Sequence, residues 1–372
     1  MRPLFPLSII LLLASCGING IYLKERSDLN PQQFTATEIQ HRLILIGDAG
    51  DPVEKLPIPN YEAIKSVIKE QPSKHLTIFL GDNVYPLGLP ETTDPNYHDY
   101  AGVLDQQLTI AAETKSAAIM IPGNHDWAKG KDYGLAQVSR QSRYVNQHGY
   151  PNTRFLPLNG SGKPILLDTL GFQFIIIDSQ FWLQSLDNGT SPKIFESQLN
   201  SLELNADLPL IIVAHHPLMT EGSHGGFFTW RQHLFPLTEF SDYAVLPLPL
   251  IGSIYPWVRS SGHTYQDISA DAYQAYIRVL KRFIELNPVL VYAAGHEHAL
   301  EVFDHNTYYS VVSGAGRETE LADIRSNESM LFASEQAGFI SVDIKINGSI
   351  YLNAWHSDSS GQANLVYSHR IK

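Results

Sequence analysis

Apolar runs four to six residues long recur along the chain and break at Gly, Pro, Asp or His. Leu43 to Ile46, Leu76 to Leu80, Ala117 to Ile121, Phe172 to Ile177, Leu210 to Ala214 and Val289 to Ala294 have the length and composition of buried strands. Between the first two, Ile64, Val67 and Ile68 share one face of Tyr61 to Glu70, and Pro72 follows, which predicts an amphipathic helix. Further helices are predicted over Tyr97 to Glu113, near Phe195 to Leu204 and over Asp271 to Leu286. The last repeats Tyr273, Tyr276, Ile277, Leu280, Phe283 and Ile284 at helical spacing, so these are core positions, and Ser269 is the candidate cap. From Thr307 onward the pattern turns strand-rich, with Tyr308 to Val312, Phe339 to Ile346 and Ser349 to Trp355, the last two joined at Asn347-Gly348. Alternating strands and helices followed by strands, without internal repeats, predict one α/β domain in which two packed mixed β-sheets are flanked by helices.

Composition narrows the partners. The 372 residues are 44% hydrophobic, enough for a large core, and 26 basic against 38 acidic side chains leave a formal charge of −12. That balance repels polyanions, so nucleic acid is excluded as a partner, and a phosphate substrate would need a local positive centre such as bound metal. Met1-Arg2 and the apolar stretch Leu4 to Ala14 have the charge and length of a secretory signal and are too short to span a bilayer. Leu13-Ala14-Ser15-Cys16 resembles the lipobox of bacterial lipoproteins, in which the Cys is acylated and becomes the mature amino terminus. The division expected is a signal peptide over 1–15, a polar tether over 16–40 and a folded domain over 41–372. The protein is then an extracytoplasmic lipoprotein, held at a membrane in the periplasm or cell envelope by Cys16. Cys16 is the sole cysteine, so disulfides contribute nothing to the mature fold.

Polar clusters stand where the apolar runs end. They are Gly47-Asp48-Ala49-Gly50, Gly81-Asp82-Asn83-Val84-Tyr85, Gly123-Asn124-His125-Asp126, His215-His216-Pro217 and Gly295-His296-Glu297-His298. The carboxyl ends of strands in α/β sheets face a shared crevice, so the clusters can converge. Asp82 is placed to bridge two metal ions, and Tyr85, three residues on, can turn back to one of them. Carboxylate and phenol oxygens favour a hard cation such as ferric iron. His296 and His298 can point together only if the strand before them has ended, and Gly295 supplies that break.

With these motifs in this order the chain resembles the calcineurin-like metallophosphoesterases, and within them the small purple acid phosphatases. The resemblance runs from about His41 to Ser313-Gly314-Ala315-Gly316 and implies a four-layer α-β-β-α sandwich. Many relatives carry a His ligand two residues after the first motif's Asp, where this chain has Gly50; the purple enzymes draw that ligand instead from a Tyr at the place of Tyr85. The resemblance implies a ferric site of Asp48, Asp82, Tyr85 and His298, and a second site of Asp82, Asn124, His215 and His296 for Fe(II), Zn(II) or Mn(II). It implies that His125 contacts the phosphoryl group, that Asp126 orients groups at the metal site, and that His224, nine residues after His215, protonates the leaving oxygen. His216 stands where the mammalian-type enzymes have Tyr, and Asp51 adds a carboxylate where Gly is common.

The expected activity is hydrolysis of phosphate monoesters, either small molecules or phosphorylated surface substrates, by a hydroxide activated between ions about 4 Å apart. Two rivals are a phosphodiesterase or nucleotide pyrophosphatase with the same metals, and a lipoprotein that binds a phosphorylated ligand without turnover. Residues 225–268 form an aromatic-rich insertion, and a loop of that length usually has a function. Its Phe227 and Trp230, with His216, are the candidates for a substrate wall; the other reading is that its aromatics cap the core.

Overall fold

A computed structural model describes residues 17–18, 20–24, 31, 36–51, 57–69, 75–147, 150, 152–239, 244–249, 251–317 and 321–372. The signal stretch 1–15, Cys16 and, in the insertion, Phe240 and Tyr243 lie outside the described residues.

Two sheets form. The seven-stranded sheet contains β2 (Ile39–Ile46), β3 (His75–Phe79), β4 (Ala117–Met120), β5 (Thr153–Phe155), β13 (Gly338–Lys345), β14 (Ile350–Ser357) and β15 (Ala363–Arg370), in the order β15-β14-β13-β2-β3-β4-β5. The eight-stranded sheet contains β1 (Ile21–Leu23), β6 (Ile165–Thr169), β7 (Phe172–Ile176), β8 (Leu210–Val213), β9 (Val289–Ala294), β10 (Leu300–Asp304), β11 (Tyr309–Ser313) and β12 (Met330–Ser334), ordered β1-β12-β10-β11-β9-β8-β7-β6. Parallel pairs β2·β3, β3·β4 and β4·β5 build one half of the first sheet and β7·β8, β8·β9 and β9·β11 the middle of the second, and antiparallel pairs complete both.

The two-residue strand period assigns the layers. Leu43 and Leu45 of β2 and Ile211 and Val213 of β8 enter the core between the sheets. Their neighbours Ile44 and Ile46 face one outer helical layer, and Leu210 and Ile212 face the other. Helices α1 (Pro59–Ile68), α2 (Tyr97–Thr114) and α3 (Gly134–Gln147) cover the first sheet, while α4 (Ser179–Asp187), α5 (Pro192–Asn200) and α8 (Asp271–Leu286) cover the second. The expected sandwich of two mixed sheets between helices is therefore what forms. Every apolar position predicted for α8 is buried, although the helix starts from Ala270 without a side-chain cap, so Ser269 does not fill that role.

The tether expected through residue 40 needs correction. Ile21–Leu23 pair antiparallel with Phe332–Ser334, and β2 already begins at Ile39. Edge backbone on β12 offers hydrogen bonds to any adjacent extended chain, and a three-residue strand has too short a pattern to announce itself. Within the insertion, short helices α6 (Trp230–Leu234) and α7 (Ile254–Ser260) form where no periodicity predicted them.

Candidate metal centre

The ligand candidates stand just beyond the carboxyl ends of parallel strands. Asp48 follows β2, Asp82 and Tyr85 follow β3, Asn124 and His125 follow β4, His215 follows β8, and His296 and His298 follow β9. The site thus straddles the seam between the sheets. Asp48, Asp82 and His296 have left-handed backbone, with φ of 57°, 54° and 72°. Non-glycine residues hold such conformations only where the surroundings enforce them, and here that enforcement turns each side chain inward. The Asp82 backbone carbonyl accepts the Gly50 N–H at 3.1 Å, and a Cβ on Gly50 would lie 2.2 Å from the Asn83 carbonyl carbon. The place where many relatives carry a His therefore admits no side chain.

The structure brings all seven proposed ligands together. Tyr85 Oη is 3.1 Å from Asp48 Oδ1 and 3.2 Å from His298 Nε2, and His298 Nε2 is 3.7 Å from Asp48 Oδ1. On the other side, Asn124 Oδ1 lies 2.9 Å from His215 Nε2 and 3.2 Å from His296 Nδ1, and His215 Nε2 is 3.5 Å from Asp82 Oδ2. Ligand atoms of Asp48, Asp82 and His215 fall within 4.8 Å of one another, which links the two halves.

Backbone carbonyls fix the tautomers. Leu80 O can only accept, so His215 Nδ1, at 2.8 Å, carries the proton; Gln266 O does the same for His296 Nε2 at 2.9 Å. His215 Nε2 and His296 Nδ1 are then both lone pairs, yet they lie 3.2 Å apart beside the Asn124 oxygen and the Asp82 carboxylate. Buried acceptors facing one another need a cation between them. The donor chemistry fits a metal pair, with an oxygen-rich half at Asp48, Tyr85 and Asp82 and a nitrogen-rich half at His215 and His296.

Electrostatics agree. Burial, then the negative charge of Asp82, pushes the Asp48 carboxyl well above the carboxylate range. Burial also opposes ionisation of Asp82, but the His215 and His125 imidazoles outweigh it and hold that group below its ordinary value. Burial and the charge of Asp48 push the Tyr85 phenol up, so its proton is retained for Asp48 until a strongly positive ion displaces it. Asp126 is a tie between loops: it accepts the backbone N–H groups of Gly123 at 2.7 Å and Asn83 at 3.0 Å, and the Gln141 amide at 2.8 Å. These bonds hold the two ligand loops in register.

His125 donates from Nδ1 to Pro86 O at 2.8 Å, packs tilted against Tyr85 with ring centroids 4.2 Å apart, and has its Nε2 3.8 Å from Asp82. Burial pulls this imidazole down to about 4. His224 packs tilted against His296 with ring centroids 3.9 Å apart, and its Nδ1 lies 3.2 Å from Asp267 Oδ1. Asp267 also takes a two-pronged bond from Arg259, at 2.7 and 2.8 Å. The substrate-wall expectation is corrected for His216 and Phe227. His216 is buried, with its ring nitrogens bonded to Ser179 and Gln266, and Phe227 is buried under the Arg325 guanidinium. Trp230 is 43% exposed, on the outside of the insertion.

Sequence reasoning missed Asp267, Arg259 and Gln266, which reach the site from the insertion, and Arg317, whose guanidinium lies 4.7 Å from the Tyr85 ring centroid and pairs with Asp51. The only signal for Arg317 was its place directly after Gly314-Ala315-Gly316.

The chain can be compared with known proteins. No curated protein matches it. Among solved structures, GAP50, the anchor in the inner membrane complex of Plasmodium, superposes with a TM-score of 0.57 at 20% identity, covering 90% of this chain and 89% of that one. The purple acid phosphatase PPD1 from yellow lupin (Lupinus luteus) seeds gives 0.50 at 15% identity over 88% of this chain, which spans 53% of the lupin protein's length. PhoD gives 0.50 at 11% identity, covering 91% and 72%. At these identities the likenesses establish the fold, and the match to a family adds what they cannot. Because residues 41–300 match the calcineurin-like phosphoesterases, a span that contains every one of the converging donors, the chain belongs to that family.

Proposed function

We propose that this chain is a binuclear metallophosphatase of the purple acid phosphatase type, hydrolysing phosphate monoesters while held at the cell envelope by lipid on Cys16. The observation that carries the reading is the facing of lone pairs on His215, His296, Asn124 and Asp82, beside a phenol held between Asp48 and His298. Asp48, Asp82, Tyr85 and His298 would hold Fe(III); Asp82, Asn124, His215 and His296 would hold Fe(II), Zn(II) or Mn(II). Cations so held lower the pKa of water toward about 7 and offset charge on the phosphoryl oxygens.

The chain's own groups supply the rest. Asp82 lies between the two halves and fixes their spacing. His125, anchored by Pro86 O, presents Nε2 on the Asp82 side as a contact for the phosphoryl group. With His224 Nδ1 turned to Asp267, Nε2 is the nitrogen that can deliver a proton to the leaving oxygen.

Metal analysis with a visible spectrum tests the site. Iron-loaded protein should be coloured, and Tyr85→Phe should lose the colour while keeping part of its metal; colourless ferric wild type overturns the purple-type assignment. A panel of esters tests the reaction. Faster turnover of monoesters supports the proposal, a preference for diesters transfers it to the phosphodiesterase reading, and no turnover by metal-loaded protein overturns the enzyme.

A further inference from the structure

We propose that the outer face of the 225–268 insertion is a membrane-docking surface, which lies against the lipid bilayer beside the Cys16 anchor and so sets the orientation of the domain. The surface goes beyond the catalytic reading and rests on the anchor half of it.

The insertion has two unlike sides. Its inner side is polar and occupied: Arg259 and Asp267 form their pair against His224, and the Gln266 carbonyl accepts from His296. Its outer side exposes Val245, Leu246, Ile251, Ile254 and Trp257, each between 55% and 65% accessible. Ile251, Ile254 and Trp257 follow one another at three-residue spacing and so share an edge. These elements form one packed unit, in which the Leu248 N–H donates to Leu234 O at 2.7 Å and His233 Nδ1 lies 3.1 Å from Ser253 Oγ. Exposed apolar residues concentrated on one such unit mark an interaction surface.

The occupant follows from charge and from where the chain emerges. Across residues 244–262 the only charged side chain is Arg259, and Asp267 neutralises it. A neutral apolar edge bearing a tryptophan suits the interface of a zwitterionic bilayer. The Ile18 N–H donates to Ile324 O at 2.8 Å, and Ile18 packs against the cluster that contains Ile324. One residue earlier on that segment, Asp323 accepts the hydroxyl of Thr229, the N-cap of α6, at 3.2 Å, and one residue later Arg325 covers Phe227. The segment 323–325 is thus shared by the start of the described chain and the root of the insertion. Cys16 is two residues from Ile18, at most about 7 Å of extended chain. A lipid on Cys16 therefore holds the bilayer at the end of the molecule where the insertion is rooted.

The test uses full-length acylated protein in phosphatidylcholine vesicles carrying brominated acyl chains, which quench tryptophan on contact. Wild type should be quenched, and Trp257→Phe should lose most of that signal. Ile251→Ser with Ile254→Ser, which keeps Trp257, should lower the quenching at least ~2-fold, with near-ultraviolet circular dichroism and ester turnover unchanged. Equal fluorescence with brominated and plain lipid overturns the proposal, as does a double variant quenched like wild type. A dimer in detergent that the double variant dissociates also overturns it, because the face then belongs to a second copy. A mass spectrum without acyl groups removes the anchor, and quenching with excess vesicles still decides the surface. Loss of turnover on soluble esters with quenching intact removes the catalytic reading alone.

Discussion

At the scale of single residues, the decisive feature is which nitrogen of each imidazole is committed elsewhere. His215 and His296 give one proton each to a backbone carbonyl and turn bare nitrogens toward the metal positions, whereas His224 turns its Nδ1 to the paired Asp267 and Arg259, at 3.2 and 3.3 Å. A carboxylate partner fixes the ring and aims its other nitrogen, which is what a leaving-group acid requires. Burial opposes ionisation of Asp267, but the Arg259 fork and His224 outweigh it and hold the group below its ordinary range. Asp267 is thus a positioning residue for His224. Asp267→Asn should slow hydrolysis of alkyl phosphates about 10- to 100-fold while changing p-nitrophenyl phosphate turnover less than about threefold, because a good leaving group needs no proton. Steady-state rates over a series of leaving groups check this, and a uniform loss across the series would leave Asp267 a purely structural part. The ligands themselves were legible in the sequence because each ends an apolar run. Asp267 was not, since its partner His224 lies 43 residues away and neither belongs to a periodic segment.

At the scale of elements, the site is made by loops that reverse direction immediately after a strand. Their close approach is legible as glycine only in retrospect: Gly50 is a missing ligand in the sequence, and in the fold it is the position against which the Asn83 backbone packs. Gly50→Ala should place a methyl group where backbone already lies, costing roughly 1–3 kcal/mol, and should displace the Asp82 loop. Lower melting temperature together with metal content reduced at least by half is the expected result, measured by calorimetry and elemental analysis; full metal retention would show that the loop yields without moving Asp82. The helices differ in legibility for a related reason. The apolar stripe of α8 is written on one face, whereas α3 buries Gln137, Gln141 and Ser142 beside Val138 and Val145, and amide and hydroxyl groups interrupt its apolar stripe. Its Gln141 is spent on Asp126, so α3 serves the ligand loops as much as the core.

For the whole molecule, joining two sheets at a polar seam gathers acid groups into the interior beyond those that bind metal. Glu301 is buried with the charge of Glu297 nearby, accepting from the Thr220 hydroxyl at 2.7 Å and the Glu221 N–H at 2.9 Å. Burial first, then Glu297, pushes its carboxyl from 4.5 up to about 8. Asp178, which caps α4 and accepts the Trp127 indole at 3.0 Å, is pushed by burial from 3.8 up to about 7. The sign follows from proton counting. Between the unfolded and folded values the native state binds more protons than the unfolded one, so raising the pH favours unfolding. The stabilisation these groups provide is complete below about pH 4 and drains away as pH climbs through about 7 for Asp178 and about 8 for Glu301. Above about pH 6.5 the opposing rise from histidines kept neutral by burial, such as His125 and His356, is complete, so melting temperature, measured in chelator so that metal occupancy does not change with pH, should fall by several degrees between pH 6.5 and pH 8, opposite to the trend of a protein held by surface carboxylate pairs. Glu301→Gln keeps the shape, removes the titration and should flatten the part of the fall that lies above pH 7, leaving the part due to Asp178; parallel curves for variant and wild type would mean that Glu301 is already ionised in the folded protein.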